Sequence, residues 1–369
     1  MNNNMAKTEK LLNRLEALRQ ETGVARTIFA VCPNSLSVIR ASFRAAKRNN
    51  APIYFAATLN QIDGDGGYTG MTQSMFTKML QFEADRVNYT GCSIVAIDHG
   101  GPWLKDKQRV EKWSTEDAMN GVKKSFEDAV LAGYDLIHVD PTVDINVAKG
   151  DVIDIHVVVR RTVELIKHVE DFRAANNLPE ISYEVGTEEV HGGLADETTF
   201  DTFLTELKSG LAEVGLANVW PCFIVGKVGT DLDTAIFDPE VARNLTSKVR
   251  PHGSWIKGHY TDGVSNPEEY PLSGMGAANV GPEFTISEYE ALKELDALER
   301  RFEAEGKVAV LSHMTATLER LVYESGRWIK WLHEDEAGKD FPELTEERRE
   351  WLVGTGCRCV WQHPEAVAA

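Results

Sequence analysis

The residues best suited to chemistry in this chain lie where short apolar runs end. Asp98 and His99 close the run SIVAIDH, and Asp140 closes the run DLIHVD. Glu188 closes the run ISYEVGTE, and His259 lies near the end of the run WIKGHYTD. Two histidines and one carboxylate, with a fourth position left open, form a common ligand set of catalytic zinc. The residue types and their placement therefore predict a metal-centred enzyme.

We assign separate roles to these groups. His99, Glu188 and His259 are the predicted ligands of a divalent cation, with zinc as the first choice and manganese, cobalt or nickel as alternatives. Asp98 and Asp140 are the predicted acid–base groups, since each stands at the end of an apolar run. A plainer interpretation stays open at this point, in which each histidine is a satisfied hydrogen-bonding residue and Asp140 forms a structural salt bridge.

The loop from Asn60 to Thr72 is rich in glycine and in groups that can hydrogen-bond a sugar. Glycine permits backbone shapes that other residues resist, so a close approach to a ligand is feasible here. A flexible connection explains the same composition. From this loop and from other strand ends we select as substrate-binding candidates Gln61, Asp63, Tyr68, Thr69, Lys227, Asp262 and Asn279.

The elements that must position these groups alternate along the chain. Eight strand-like runs, separated by helical segments, predict parallel strands joined by right-handed crossovers, and their number favours a closed (β/α)8 TIM barrel of the α/β class. No glycine-rich dinucleotide or P-loop motif follows a predicted strand, which disfavours a dehydrogenase or a P-loop kinase. We predict an N-terminal helix over residues 1–26, a barrel over 27–305, and a C-terminal helical extension over 306–369 that packs on the barrel.

The composition of the chain excludes some classes of binding partner. The 369 residues include 39 basic and 57 acidic ones, for a formal net charge of −18. Nucleic acids and anionic membranes call for a basic surface, so we expect neither as a partner. Five scattered cysteines fit a reducing compartment better than a disulfide framework. No run has the length of a membrane span or a signal peptide, and we expect a cytoplasmic protein that forms homo-oligomers.

Six motifs in order carry a resemblance to a known family. They are NQIDGDGGYTGMT, IDHGGPW, IHVD, YEVGTE, GHYTD and NVGPEFT. Together they resemble the GatZ/KbaZ-like family, whose members are known as accessory, non-catalytic subunits of a class II tagatose-bisphosphate aldolase. The resemblance runs from about Ile28 to about Arg300. It implies a TIM barrel related to the metal-dependent aldolases, with His99 and His259 on family positions.

The resemblance also implies a reaction, because some members are understood to act alone as ketose 4-epimerases. We therefore expect an isomerase of carbohydrate metabolism that acts on a small ketose or ketose phosphate. Retro-aldol cleavage of C3–C4 gives an enediolate and an aldehyde, and re-addition after rotation inverts C4. The alternative that the family name carries is a subunit that stabilises a partner aldolase and performs no chemistry.

Overall fold

The strands of the described structure form a closed parallel barrel. The computed structural model describes residues 5–148, 151–186, 197–232 and 236–369. Eight strands pair in chain order, and the eighth pairs with the first, which confirms the predicted (β/α)8 barrel. The strands are β1 (Ile28–Val31), β2 (Ile53–Thr58), β3 (Ser93–Gly100), β4 (Leu136–Val139), β5 (Ser182–Gly186), β6 (Phe223–Val225), β7 (Trp255–Gly258) and β8 (Ala277–Val280).

Helices follow the strands, as the alternation predicts, and several begin at side-chain caps. Ser114 accepts a hydrogen bond from the amide of Asp117, and Asp238 accepts from the amides of Glu240 and Val241. The helices are α1 (Lys7–Thr22), α2 (Leu36–Arg48), α3 (Gln73–Arg86), α4 (Asp106–Val110), α5 (Thr115–Leu131), α6 (Ile155–Ala175), α7 (Glu197–Glu213), α8 (Pro239–Val249), α9 (Glu269–Leu272), α10 (Pro282–Ala304), α11 (Met314–Ser325), α12 (Glu346–Gly356) and α13 (Pro364–Ala368).

The chain divides into two compact units. The barrel unit contains Met1–Pro33, Ile39–Gly67 and Met71–Val280, and the second unit contains Asn34–Val38, Tyr68–Gly70 and Gly281–Ala369. The second unit has a buried cluster of its own, which includes Tyr289, Leu318 and Trp328. The division after residue 305 that the sequence suggests stays a prediction. Within the described ranges, no helix combines the length and the apolar character that crossing a bilayer requires.

The barrel interior is apolar at the amino ends of the strands and charged near their carboxyl ends. Ile94, Leu136 and Trp255 belong to one buried cluster, which Leu12 and Leu15 of α1 join. Side chains two residues apart in a strand lie on the same face, so every second residue of a strand points into the barrel. Further along the same strands the buried positions are charged or polar, and they include Asp98, His138, Glu184, Lys257 and Asn279.

Candidate metal centre

An irregularity in β3 brings two neighbouring polar residues to one site. The pairing of β3 with β4 shifts between Ile97 and Gly100, so β3 has one residue more than β4 over this stretch. Successive side chains of a regular strand face opposite sides, and Asp98 and His99 could not both face inward. His99 has a φ of 47°, in the left-handed region. The bulge re-aims its side chain, as bulges beside functional sites often do.

A carboxylate fixes the orientation of His99. Its Nδ1 lies 2.7 Å from Oδ2 of Asp140, the residue directly after β4, and Thr142 donates to Oδ1 of the same carboxylate at 2.5 Å. Burial lowers the pKa of His99, but the carboxylates of Asp98 and Asp140 outweigh that effect and raise the pKa above its usual value. In the neutral ring, with Nδ1–H donating to Asp140, the lone pair of Nε2 points away from the carboxylate.

His259 has a similar carboxylate behind its ring. Its Nε2 lies 2.9 Å from Oε1 of Glu184, on β5. The ring centroids of His99 and His259 are 4.5 Å apart, in an edge-to-face arrangement. Both histidines stand at the carboxyl ends of their strands, where barrel enzymes place their active sites. The structure therefore brings together two imidazoles that each have a carboxylate on one nitrogen.

His138, inside β4, has a different hydrogen-bond pattern. The backbone N–H of His99 donates to its Nδ1 at 3.1 Å, so this nitrogen is an acceptor and neutral His138 carries its proton on Nε2. That Nε2 is buried and has no hydrogen-bond partner among the described residues. A ring in this tautomer donates to an oxygen through Nε2, and it ligates a cation through Nδ1 only by giving up the hydrogen bond from His99. The sequence places His138 on the face of Asp140 but indicates no role for it.

A buried lysine completes the centre. Nζ of Lys257, on β7, lies 2.7 and 2.9 Å from the two oxygens of Glu184, and 3.6 Å from Oδ1 of Asp98. It also lies 5.0 Å from the ring centroid of Tyr54. Burial raises the pKa of Glu184, but the ammonium and the imidazoles around it reverse the effect and lower the pKa to about 2. Glu184 and Lys257 form a fully buried, charged pair.

Asp98 is held from several sides. Nδ2 of Asn279 donates to both of its oxygens, at 3.1 and 3.2 Å. Nδ1 of His138 and Nε2 of His259 lie 3.6 and 3.7 Å from Oδ1. Burial raises the pKa of Asp98, but the charges of Lys257 and the histidines outweigh it and hold the pKa well below its usual range. Asn279, a predicted substrate-binding residue, therefore orients this carboxylate.

The centre fits a divalent cation in one of two overlapping arrangements. In the described part of the chain, one ligating atom from each of His99, His138 and His259 lies within 4.8 Å of the others, and the same is true of Asp98, His138, Glu184 and His259. His99 and His259 each have a carboxylate on one ring nitrogen, and metal-binding histidines usually have such a partner on the nitrogen that does not bind the metal. The centre contains three carboxylates, of which Asp98 and Glu184 contact the ammonium of Lys257 and Asp140 contacts His99, so negative charge remains for a cation to neutralise. The predicted third ligand, Glu188, lies outside the described residues.

The other predicted substrate-binding residues are dispersed. Gln61 hydrogen-bonds to the backbone, since its Nε2 donates to the Pro33 carbonyl at 2.9 Å and its Oε1 accepts from the amide of Thr58.

Asp63 is buried and accepts hydrogen bonds from Gln73 and Lys105. Tyr68 and Thr69 belong to the second unit, where the guanidinium of Arg327 lies 5.8 Å from the Tyr68 ring centroid. Lys227 and Asp262 are half-buried. A substrate-binding role for these residues stays a prediction.

A cavity of about 350 Å³ lies at the opposite end of the barrel. Its lining includes Leu12 of α1 and the residues that begin or precede three strands, Ile181, Cys222 and Trp255. Both groups of potential metal ligands found among the described residues lie in the part of the barrel towards the carboxyl ends of the strands instead. Because barrel chemistry sits at that end, we place the candidate active site there.

Gly101, which follows β3, offers a test of this geometry. A Cβ at Gly101 would lie 1.7 Å from the carbonyl oxygen of Asp140, so the Gly101→Ala variant must push the ends of β3 and β4 apart. We expect a loss of about 1–3 kcal/mol in the free energy of unfolding, measured by urea denaturation, and weaker metal binding. In the control, Gly64→Ala, the nearest atom is 3.6 Å away. Equal stability of the two variants would contradict the close approach.

The fold and the site together define a class. A closed parallel barrel with imidazole and carboxylate groups towards the carboxyl ends of its strands is an architecture that can hold a metal ion. Residues 12–369 match the family described as D-tagatose-1,6-bisphosphate aldolase subunit GatZ/KbaZ-like. The chain belongs to this aldolase-related family, which confirms the resemblance found in its motifs.

Solved structures agree at the level of the fold. The chain is similar to a probable tagatose 6 phosphate kinase from Sinorhizobium meliloti 1021, with 23% identity, a TM-score of 0.75, and coverage of 93% of this chain and 85% of that one. It is also similar to the fructose-bisphosphate aldolase of Campylobacter jejuni, with 12% identity, a TM-score of 0.51, and coverage of 95% and 91%. At these identities the likeness concerns the fold alone.

Proposed function

We propose that this chain is a metal-dependent 4-epimerase of a ketose or ketose phosphate, which works by retro-aldol and aldol steps at C3–C4. One observation carries the proposal. His99 and His259, each with a carboxylate on one ring nitrogen, lie with ring centroids 4.5 Å apart at the carboxyl ends of the barrel strands. His99 and His259 would hold the cation together with Glu188, and zinc suits such a set best.

The bound cation would supply electrophilic stabilisation at adjacent oxygens of the sugar. Asp140 accepts the proton of the C4 hydroxyl. The electron pair of the C3–C4 bond then forms the enediolate, and C4 leaves as an aldehyde. Rotation of the aldehyde presents its other face, the C3–C4 bond forms again, and Asp140 returns the proton to the new C4 hydroxyl. The net reaction inverts C4 and consumes no co-reactant.

Asp140 suits the proton transfer better than Asp98. Both carboxylates accept hydrogen bonds at both oxygens, but Asp98 also lies 3.6 Å from the buried ammonium of Lys257, which stabilises its ionised form. Asp140 instead contacts His99, whose side chain is 18% exposed and is the most accessible of the three imidazoles. Neutral His138, with its proton on Nε2, is suited to donate a hydrogen bond to an oxygen on which negative charge develops.

A second candidate follows from the family description, which names an aldolase subunit. In that case the chain would bind and stabilise a partner aldolase without catalysis. The buried charges weigh against a purely structural role, because an uncharged interior would be cheaper to desolvate. The two candidates differ in whether the purified chain has an activity of its own.

The decisive test starts from protein stripped of metal with a chelator and then reconstituted with zinc or manganese. We expect conversion between D-tagatose and D-fructose, or between their phosphates, only in the reconstituted protein, with NMR as the readout of the C4 configuration. Trapping of free aldehyde would indicate an aldolase that releases its fragments. A fully metallated chain that converts no ketose, yet raises the thermal stability of a class II aldolase, would establish the subunit role instead.

A further inference from the structure

Lys257 places a permanent positive charge among groups that could also hold a metal ion. Its side chain is fully buried. Its ammonium contacts both oxygens of Glu184 and lies 3.6 Å from Asp98. Interior lysines without a counter-charge are rare, and this one has two carboxylates within reach. The ammonium therefore already supplies positive charge to the two carboxylates, Asp98 and Glu184, that a cation at this depth would bind.

The two overlapping arrangements of ligands differ in how closely their members contact the Lys257 ammonium. The inner one consists of Asp98, His138, Glu184 and His259, and Lys257 contacts its two carboxylates. A divalent ion bound there would face a like charge across a few ångströms of low-dielectric interior, where repulsion is strong. The outer arrangement adds His99, whose ring contacts Asp140 and not the two carboxylates that hold Lys257, whereas His259 shares Oε1 of Glu184 with the ammonium.

We propose that Lys257 is a positioning residue that keeps Glu184 and Asp98 from coordinating a metal and so directs the ion to the histidines at the mouth of the barrel. The inference rests on the proposed function, because it concerns the same centre. It follows that loss of the Lys257 charge creates a carboxylate-rich site at Asp98, His138, Glu184 and His259. Such a site suits a hard cation, and Mn²⁺ prefers oxygen ligands more than Zn²⁺ does.

The experiment compares Mn²⁺ binding to the wild-type chain and to the Lys257→Met variant, by electron paramagnetic resonance and equilibrium dialysis. We expect the variant to bind Mn²⁺ at least about tenfold more tightly than wild type does, since a like charge has been removed. In the double variant Lys257→Met/Glu184→Gln the gain should disappear, because the new site loses a carboxylate. Lys257→Gln, which keeps a hydrogen-bond donor for Glu184, replaces the methionine variant if near-UV circular dichroism shows that the latter is unfolded.

A matched control removes another ammonium from between two carboxylates. Lys105 contacts Asp63 and Asp65, and no imidazole belongs to that group. Lys105→Met should leave Mn²⁺ affinity within about threefold of wild type, the ordinary range of context effects on such contacts. An equal gain in Lys105→Met would overturn the inference, as would unchanged Mn²⁺ affinity in a folded Lys257 variant.

The Mn²⁺-binding results test the role of Lys257 independently of whether the chain is an epimerase. Wild-type protein that binds zinc without converting any ketose would refute the epimerase, while a gain of Mn²⁺ affinity in Lys257→Met would still support the role of Lys257. Full epimerase activity with zinc, together with Mn²⁺ affinity that is indifferent to Lys257, would support the function and refute the inference.

Discussion

The Lys257→Met variant is expected to lose about 3–5 kcal/mol of unfolding free energy, measured by urea denaturation of the metal-free protein. The reason is that the variant leaves buried carboxylates without the Lys257 ammonium. Glu184 is fully buried, and its two oxygens lie 2.7 and 2.9 Å from the Lys257 ammonium. Removal of the ammonium leaves Glu184 and Asp98 without their main counter-charge in a medium that solvates ions poorly. The loss is a large fraction of the stability of a typical domain.

Two further variants distinguish the loss of stability caused by an unpaired buried charge from the loss caused by replacing a lysine side chain in general. The double variant Lys257→Met/Glu184→Met replaces both charges by apolar groups of similar size, so it should recover most of the loss. Lys248→Met removes an ion pair whose acidic partner, Asp201, is 56% exposed, and it should cost less than about 1 kcal/mol. A double variant less stable than Lys257→Met alone would show that the charge pair is not the source of the effect.

The same pair predicts how stability depends on pH. The pKa of Glu184 is about 2 in the folded protein, against 4.5 for the unperturbed group. A depressed pKa contributes stability above the unfolded value, and this contribution is lost as the pH falls from about 4.5 to about 2. The Glu184→Gln variant lacks the titrating group, so its unfolding free energy should change less over that interval. Parallel curves for the two proteins in acid unfolding would contradict the assignment.

The second large effect concerns Asp140. The Asp140→Asn variant should lower kcat/KM for ketose epimerisation by about 10²–10⁴-fold, because it removes the proton acceptor. Zinc affinity should also fall, by about 10–100-fold, because asparagine sets the orientation and tautomer of His99 poorly. The affinity, measured by competition with a chromophoric chelator, tests the contact between Asp140 and His99 even where no activity is detected.

Asp144 provides the control, since it lies four residues further along the same loop. Its carboxylate contacts Arg161 at 2.6 Å and none of the histidines of the centre in the described structure. Asp144→Asn should therefore keep both activity and zinc affinity. If Asp140→Asn and Asp144→Asn behaved alike, the effect would come from the loop as a whole and not from the His99 contact.

The fold follows from the sequence more readily than the centre does. Alternating strands and helices predict a barrel, and the rule that chemistry sits at carboxyl ends of strands leads to His99, His259, Asp98 and Asp140. These four residues do lie together at that end. The family motifs add a second, independent route to the same fold.

Glu184 and Lys257 escaped prediction because both lie inside strands and not at their ends. The sequence does contain a signal for Lys257, which is the two-residue period of side chains along a strand. Trp255, Lys257 and His259 alternate along β7, so a charge at the middle position must face the barrel interior. The contact between Lys257 and Glu184 joins residues 73 positions apart, which no local pattern reveals. The bulge that turns His99 inward likewise depends on pairing with β4.

The charged interior has a consequence for how the barrel assembles. Asp98 belongs to the first half of the barrel, whereas its partners Asn279 and Lys257 belong to the last two strands, and Asn279 is 181 positions away. A half-barrel fragment that ends after β4 would contain the acids Asp98 and Asp140 without the lysine that compensates them. Folding therefore depends on contacts that form only when the chain is nearly complete, and we infer that the strands gain and lose their order cooperatively.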